Sequence, residues 1–343
     1  MHPAAKNFGG KKSQPVSEVL ERAGRTAISM GAEPAILPGH PKFDLDALIR
    51  YCLEEDLGDR GDITSIATIE ESVSATGAFT AKEGGVVAGI AVAERVFALV
   101  DDDIRREWTV KDGDRVQKGD VIGRIEGRAR SVLVAERLAL NFMQRMSGVA
   151  TLTSKMKAKL GADTKTRILD TRKTVPGLRV LDKWAVLIGG GTGHRIGLFD
   201  MMMIKDNHIA AAGGIENALN RADAYLEGQE FAVPVEIEVE TLQEVDTVLE
   251  YLGAHPKTYL TRVMLDNMVK KVGDAEYDTR LLRESVERIG GKLETEASGN
   301  INLDSVGAVG ESGVDFISSG ALTHSVKALD ISLKLKTNVN TGQ

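Results

Sequence analysis

The sequence predicts an α/β protein, a small α+β unit followed by a parallel α/β barrel. Three observations carry this expectation. Short β-type runs begin near Ile168, Met202, Val235, Val263, Leu293 and Val314, at spacings of 34, 33, 28, 30 and 21 residues. Helical segments lie between them, which is the rhythm of repeated β-then-α units. Charged or polar residues end nearly every run: Asp170/Thr171, Lys205/Asp206, Glu238/Glu240, Asp266/Asn267, Glu296/Ser298 and Ser318/Ser319. A doubly wound sheet gathers its site at one or two switch points, whereas a barrel collects residues from most strand ends, so the even spread favours the barrel. Upstream, residues 78–125 alternate and turn often, with turn pairs at Gly84-Gly85, Asp112-Gly113 and Lys118-Gly119.

In chain order, residues 1–42 are rich in Gly, Pro, Ala and Lys and lack the apolar core of a secretory signal. They are expected to form a flexible tail or an organelle leader, with Glu18 and Glu21 counting mildly against the leader. Residues 44–57 space Leu45, Leu48, Ile49, Cys52 and Leu53 as one face of an amphipathic helix. Residues 111–125 look like a biotinyl or lipoyl hairpin. No Met-Lys-Met-like tripeptide stands on an opposite hairpin, so a structural role is expected. Val134, Leu138, Phe142 and Met146 step by four and predict one or two buried helices over 131–160, with Arg130 just before them. Thr241-Leu-Gln-Glu244 reads as a capping box opening a helix through Val245, Val248 and Leu252. The expected domains are 43–160 and 161–325, with 326–337 returning to the first.

Bulk properties exclude several classes. The chain has 343 residues, 42% hydrophobic and 27% charged, and a formal net charge of −7. The longest apolar run, residues 86–100, is interrupted by Glu94 and Arg95, so no membrane span is expected. Cys52 is the single cysteine, which excludes intramolecular disulfides and cysteine zinc sites and fits a reducing compartment, the cytoplasm. The six histidines show no H-x-x-x-H spacing, against a histidine metal cluster. Met201–Met203 reads as core, and His208 and His324 as hydrogen-bonded structural histidines.

Against this acidic background, Arg172, Lys173, His194, Arg195 and Lys205 fall at strand ends and in glycine-rich turns within 40 residues, 169–208. Cations gathered this way suit a small, multiply anionic ligand rather than a nucleic-acid face, which spreads basic charge over a surface. The carboxylates Glu238 and Asp266, with Glu240 behind them, and the turns Ser298-Gly299-Asn300 and Ser318-Ser319-Gly320 complete the constellation. Turns after the last strands of a barrel commonly grip phosphate through backbone N–H groups. Each charge-assisted contact there contributes about 1.5–3 kcal/mol.

These residues sit in longer runs: Ala135-Glu-Arg-Leu-Ala-Leu-Asn141 with Met146-Ser-Gly148, Asp170-Thr-Arg-Lys-Thr-Val-Pro-Gly-Leu-Arg179, Lys183-Trp-Ala-Val-Leu-Ile-Gly-Gly-Gly191, His194-Arg195, Ile204-Lys-Asp-Asn-His208, Leu265-Asp-Asn267, Glu294-Thr-Glu-Ala-Ser-Gly-Asn300 and Ser318-Ser-Gly-Ala-Leu-Thr-His-Ser325. In this order, over residues 43–337, they resemble the quinolinate phosphoribosyltransferases, nearest to the plant-like branch. The resemblance implies an N-terminal α/β sandwich domain and an irregular seven-stranded α/β barrel; the periodicity itself yields six strands. It also implies transfer of phosphoribosyl from phosphoribosyl pyrophosphate to quinolinate with Mg2+, releasing pyrophosphate and CO2 and leaving nicotinate mononucleotide.

By the same resemblance, Arg172, His194 and Arg195 hold the quinolinate carboxylates, with Arg130 entering from the second subunit of a homodimer, or of a larger homo-oligomer, that shares its active site. Lys173 and Lys205 face the ligand carboxylate and the phosphates. Glu238 and Asp266 face the ribose hydroxyls and magnesium. Ser298, Gly299, Asn300, Ser319 and Gly320 match the turns holding the 5′-phosphate. Lys173, Lys205, Glu238 and Asp266 are the expected catalytic residues. Thr192-Gly193 replaces an Arg-Asn-like pair of many relatives, Asn300 replaces a glycine of most bacterial members, and residues before Phe43 have no counterpart. Three rivals differ in what they would need: a Schiff-base aldolase at Lys205 has no use for Arg172 and Arg195; a transferase for another pyridine carboxylate needs fewer cations; a non-catalytic phosphate-binding module could dispense with Glu238 and Asp266.

Overall fold

Helix α1 (Leu45–Leu57) opens the described chain, capped by Asp44, whose carboxylate accepts the Ala47 N–H at 3.1 Å. The computed structural model describes residues 36–161, 164–274 and 276–338. Most of the expected leader, residues 1–35, lies outside the described residues. Next come α2 (Ile63–Thr68), β1 (Ser74–Ala81), β2 (Gly85–Val86), α3 (Ile90–Val100), β3 (Arg105–Trp108), β4 (Arg115–Val116) and β5 (Val121–Arg128). The 31-residue helix α4 (Ala129–Lys159) follows directly. Strand β1 alternates buried and more open positions, so one face of its sheet packs on α3 and α4.

The second part runs β6 (Arg167–Leu169), α5 (Arg179–Ile188), β7 (Met202–Ile204), α6 (Asp206–Ala212), α7 (Ile215–Glu227), β8 (Val235–Val239), α8 (Leu242–Ala254) and β9 (Leu260–Asp266). A short ribbon, β10 (Lys270–Lys271) with β11 (Tyr277–Asp278), precedes α9 (Arg280–Ile289), β12 (Glu294–Ser298), α10 (Val306–Gly310), β13 (Phe316–Ser318) and α11 (Ala321–His324). The last strand, β14 (Ile331–Thr337), pairs antiparallel with β1 and completes the first sheet in the order β14-β1-β5-β3. The Thr241/Glu244 capping box at α8 is present, both halves formed.

Six strands form one parallel sheet in the order β6-β13-β12-β9-β8-β7. The first strand therefore neighbours the last, an order that closes on itself and matches the expected barrel rather than a doubly wound sheet. Only the seam between β6 and β7 lacks strand pairing. On the β6 edge facing that seam, Thr192 forms an isolated parallel bridge with Leu169, its N–H donating to the Ile168 carbonyl at 2.7 Å. The seventh strand implied by resemblance is thus one bridging residue, because the glycines of Gly189–Gly193 give that segment no side chains to pack as a regular strand.

Strand parity decides what fills the barrel. In β8, Val235, Ile237 and Val239 face the helical layer and Glu236 and Glu238 face the interior, so all five residues are buried. Pairing registers Glu236 with Arg262, and Glu296 with Met264 and Phe316. At the N-terminal end, Arg167 and Arg262 each stack over the Phe316 ring, at 4.3 and 4.0 Å from its centroid. This cation–π plug closes the bottom of the barrel and leaves the C-terminal mouth open.

Candidate active site

A cavity of about 750 Å³ opens at the C-terminal end of the barrel. It is lined from the ends of all six strands, by Asp170, Thr171, Arg172 and Lys173 after β6, Met203 and Lys205 at β7, Glu238 of β8, Met264, Asp266 and Asn267 at β9, Glu296 and residues 298–302 at β12, and Ser318, Gly320, Ala321 and His324 at β13. His194 and Arg195 enter from the seam. The volume is large enough for two small ligands together.

Three of the five cations are held without counter-ions. Among the described residues no salt bridge engages Arg172, Lys173 or Arg195. The Arg172 Nε is buried with no hydrogen-bond partner. Burial first, and then the neighbouring charge of Arg172, pull the Arg195 pKa down. Adjacent cations without protein anions ask for an anionic ligand. Lys205 differs: its Nζ pairs with Glu238 Oε2, while its backbone N–H is capped by His208 Nδ1 at 3.0 Å.

Below the mouth lies a buried polar layer. His194 Nε2 stands 3.0 Å from Glu236 Oε2 and 3.1 Å from Glu296 Oε2, with all three side chains almost fully buried. Arg262 Nη1 reaches Glu296 at 3.2 Å. Burial opposes charge on the imidazole, but Glu296 and then Glu236 outweigh it and push its pKa up to about 10. A proton on Nδ1 would meet the Arg195 N–H, which donates to that atom at 2.7 Å. The geometry is satisfied when His194 and Glu236 hold one proton between them; burial and the charge of Glu296 raise the Glu236 pKa accordingly. Glu296, paired with His194 and Arg262, remains the carboxylate. These three ligand atoms lie close enough to hold a cation, yet Arg262 already supplies the compensating charge.

Asp170, fully buried at the end of β6, accepts from the Lys183 ammonium and, at 2.9 Å, from the His194 N–H, which fastens the seam turn to β6. Asn267 and Asn300 adopt positive φ of 55° and 52° at the mouth. Gly299, at φ 97°, lies so close to Asn267 that a Cβ would stand 2.8 Å from its backbone N.

Of the expected site residues, Arg172, Lys173, His194, Arg195, Lys205, Glu238, Asp266, Ser298, Gly299, Asn300 and Gly320 meet in this cavity. Two do not. Arg130 donates to the carbonyls of Ile69 and Ile66 in its own first domain. Ser319 is buried and its hydroxyl donates to the Ile301 carbonyl at 2.5 Å, so it supports the turn from behind. Met203 and His324 line the cavity, although the sequence reads them as core and structural. Sequence reasoning also missed Glu236 and Glu296 as site supports, though parity with Glu238 and Ser298 along their strands is a readable signal. Nothing local marks Asp170–Lys183 as a pair.

A closed parallel barrel with unpaired cations, interior carboxylates and glycine turns around one mouth defines a barrel enzyme for small, multiply anionic ligands. Residues 62–147 match the N-terminal domain of quinolinate phosphoribosyl transferase, and residues 149–334 its C-terminal domain. The chain belongs to the quinolinate phosphoribosyltransferase family. It is 55% identical over 330 residues to the chloroplastic nicotinate-nucleotide pyrophosphorylase [carboxylating] of rice, covering 95% of this chain and 88% of that one. It is 55% identical over 302 residues to tobacco quinolinate phosphoribosyltransferase [decarboxylating] 1b, covering 88% and 85%. The crystal structure of NadC from Streptococcus pyogenes superposes with a TM-score of 0.77 at 37% identity, covering 88% of this chain and 99% of that one. The two matched domains meet inside α4.

Proposed function

We propose that the enzyme transfers phosphoribosyl from phosphoribosyl pyrophosphate to quinolinate with decarboxylation, giving nicotinate mononucleotide, pyrophosphate and CO2. Beside the family membership, the observation that carries this reading is the unpaired Arg172/Lys173/Arg195 group facing Glu238 and Asp266 across one cavity. Quinolinate brings two adjacent carboxylates, which match Arg172 and Arg195 through paired hydrogen bonds. The glycine turns at Gly299 and Gly320 suit the 5′-phosphate, and Lys173 beside Gly320 adds charge.

The pyridine nitrogen attacks the anomeric carbon as the bond to pyrophosphate breaks. Glu238 or Asp266 stabilises the positive charge that develops on the ribose ring. Once the nitrogen is ribosylated, the bond from carbon 2 to its carboxylate breaks, the pyridinium accepts the electron pair, and a proton replaces CO2. The cations hold the substrate while this happens and do not enter the bonds.

Glu238 and Asp266 fit magnesium: each has one oxygen engaged, by Lys205 and by Asn267 Nδ2, and one left for the cavity. Such a sparse, all-oxygen set suits an ion that arrives on pyrophosphate with waters of its own. When bound, Mg2+ would neutralise the leaving group.

Arg130, absent from its own cavity, is assigned to the site of a second subunit in a homodimer. No helix among the described residues is long and apolar enough to cross a membrane. The single cysteine supports a cytoplasmic enzyme; an organelle address, such as the chloroplastic one named for the rice relative, would reside in residues 1–42. Incubation with quinolinate, phosphoribosyl pyrophosphate and Mg2+ tests the assignment. Nicotinate mononucleotide and CO2 in equal amounts are expected, and absence of both would refute it.

A further inference from the structure

We propose that Arg145, together with Asp182, is a positioning residue for phosphoribosyl pyrophosphate: it fastens the two anion-facing loops of the barrel to the long helix of the first domain. The inference rests on the substrate assignment above.

Arg145 lies on α4 and Asp182 on α5, away from the cavity lining. Arg145 Nε and Nη2 donate to the two carboxylate oxygens of Asp182, each at 2.8 Å, a fork-to-fork pair with Asp182 1% exposed. Asp182 Oδ2 also accepts the Val175 N–H at 3.2 Å, which holds the loop after β6. Arg145 Nη2 also donates to the Thr323 carbonyl at 3.0 Å, which holds the short helix α11 and with it the turn at Gly320 after β13. The ring closes where Thr323 Oγ1 donates to the Lys173 carbonyl at 2.7 Å. One guanidinium therefore sets the relative position of the loop bearing Lys173 and the loop bearing Gly320.

On the ligand side these loops interlock. A Cβ on Gly320 would stand 2.8 Å from Lys173 Cδ, so the lysine stem lies across open glycine backbone. Arg195 and Lys205 stand on other segments and are untouched by the ring, so quinolinate, shared between Arg172 on the tied loop and Arg195 off it, keeps part of its grip. Buried ion pairs contribute little net stability compared with apolar packing of the same volume, whereas planar bidentate geometry fixes direction well. A tie that spans both domains and ends at two loops of the site suits alignment more than stability.

Two variants test it, since Arg145→Ala would strand Asp182 as an unpaired buried charge. Arg145→Lys keeps the charge without the fork, and Thr323→Val cuts the Lys173 link without touching the ion pair. With both substrates varied, KM for phosphoribosyl pyrophosphate should rise about tenfold in each variant, while KM for quinolinate moves less than about threefold, since small misplacements of binding groups are costly. A lowered unfolding midpoint with unchanged KM values, or both KM values rising together, overturns the proposal. Calorimetric titration with inorganic pyrophosphate repeats the comparison without turnover: weaker binding in both variants supports it and equal binding overturns it. Should the wild-type protein fail to turn over these substrates, the function assignment falls, and the pyrophosphate titration still decides the role of Arg145.

Discussion

Glu238 divides its two oxygens between Lys205 and the cavity, and that division separates binding from turnover. Glu238→Gln and Asp266→Asn keep shape and remove charge from the developing ribose cation, so turnover should fall about 10²-fold or more, the effect of ~2.7–4 kcal/mol at a developing charge. Quinolinate affinity by calorimetry should hold steady or rise slightly, because its cations stand on other segments. Loss of quinolinate binding with near-normal saturated turnover would make the affected carboxylate a support for Arg172 or Lys205.

At the scale of elements, α4 joins the halves of the molecule through a close approach at Gly148. A Cβ there would meet the Lys327 carbonyl and stand 3.0 Å from Ala328 Cα, backbone that cannot yield as a side chain can. Gly148→Ala should destabilise by about 1–3 kcal/mol through overpacking, read as a lowered midpoint in denaturant, even though alanine favours helix more than glycine does. A stabilised variant would show that the crossing shifts freely. These elements were unequally legible. The period of β-then-α units and the polar strand ends were sufficient for the barrel, and the apolar spacing after Asp44 and the capping box at Thr241 announced their helices, because those signals are local. The ion pairs Asp170–Lys183 and Arg145–Asp182 were not legible, since each joins positions brought together only by the packing of a helix on its neighbouring element. Glu236 and Glu296 fall between these cases: period-two parity points them inward beside Glu238 and Ser298, but only pairing across the strands makes them a support for His194. The reduced seventh strand was hidden for a similar reason, as the glycines around Thr192 carry no periodicity.

For the whole molecule, the proposed dimer is tested at Arg130. Its guanidinium lies against the carbonyls of Ile66 and Ile69 on the first domain, whereas the candidate site lies at the barrel mouth. In a symmetric dimer each first domain can complete the other subunit's site. Mixing inactive Arg130→Ala with inactive Lys205→Ala subunits should then restore up to about a quarter of wild-type activity by random pairing. Absence of recovery despite verified exchange would return Arg130 to a role within its own chain. In the proposed function, the unpaired Arg172, Lys173 and Arg195 receive a ring bearing two adjacent carboxylates. The most direct measurement compares quinolinate with nicotinic acid, which lacks the carboxylate at carbon 2, with phosphoribosyl pyrophosphate and Mg2+ saturating. Leaving a cation unmatched in a desolvated site costs several kcal/mol, so kcat/KM should favour quinolinate by about 10³-fold or more. Comparable values of kcat/KM for the two acids would contradict the account.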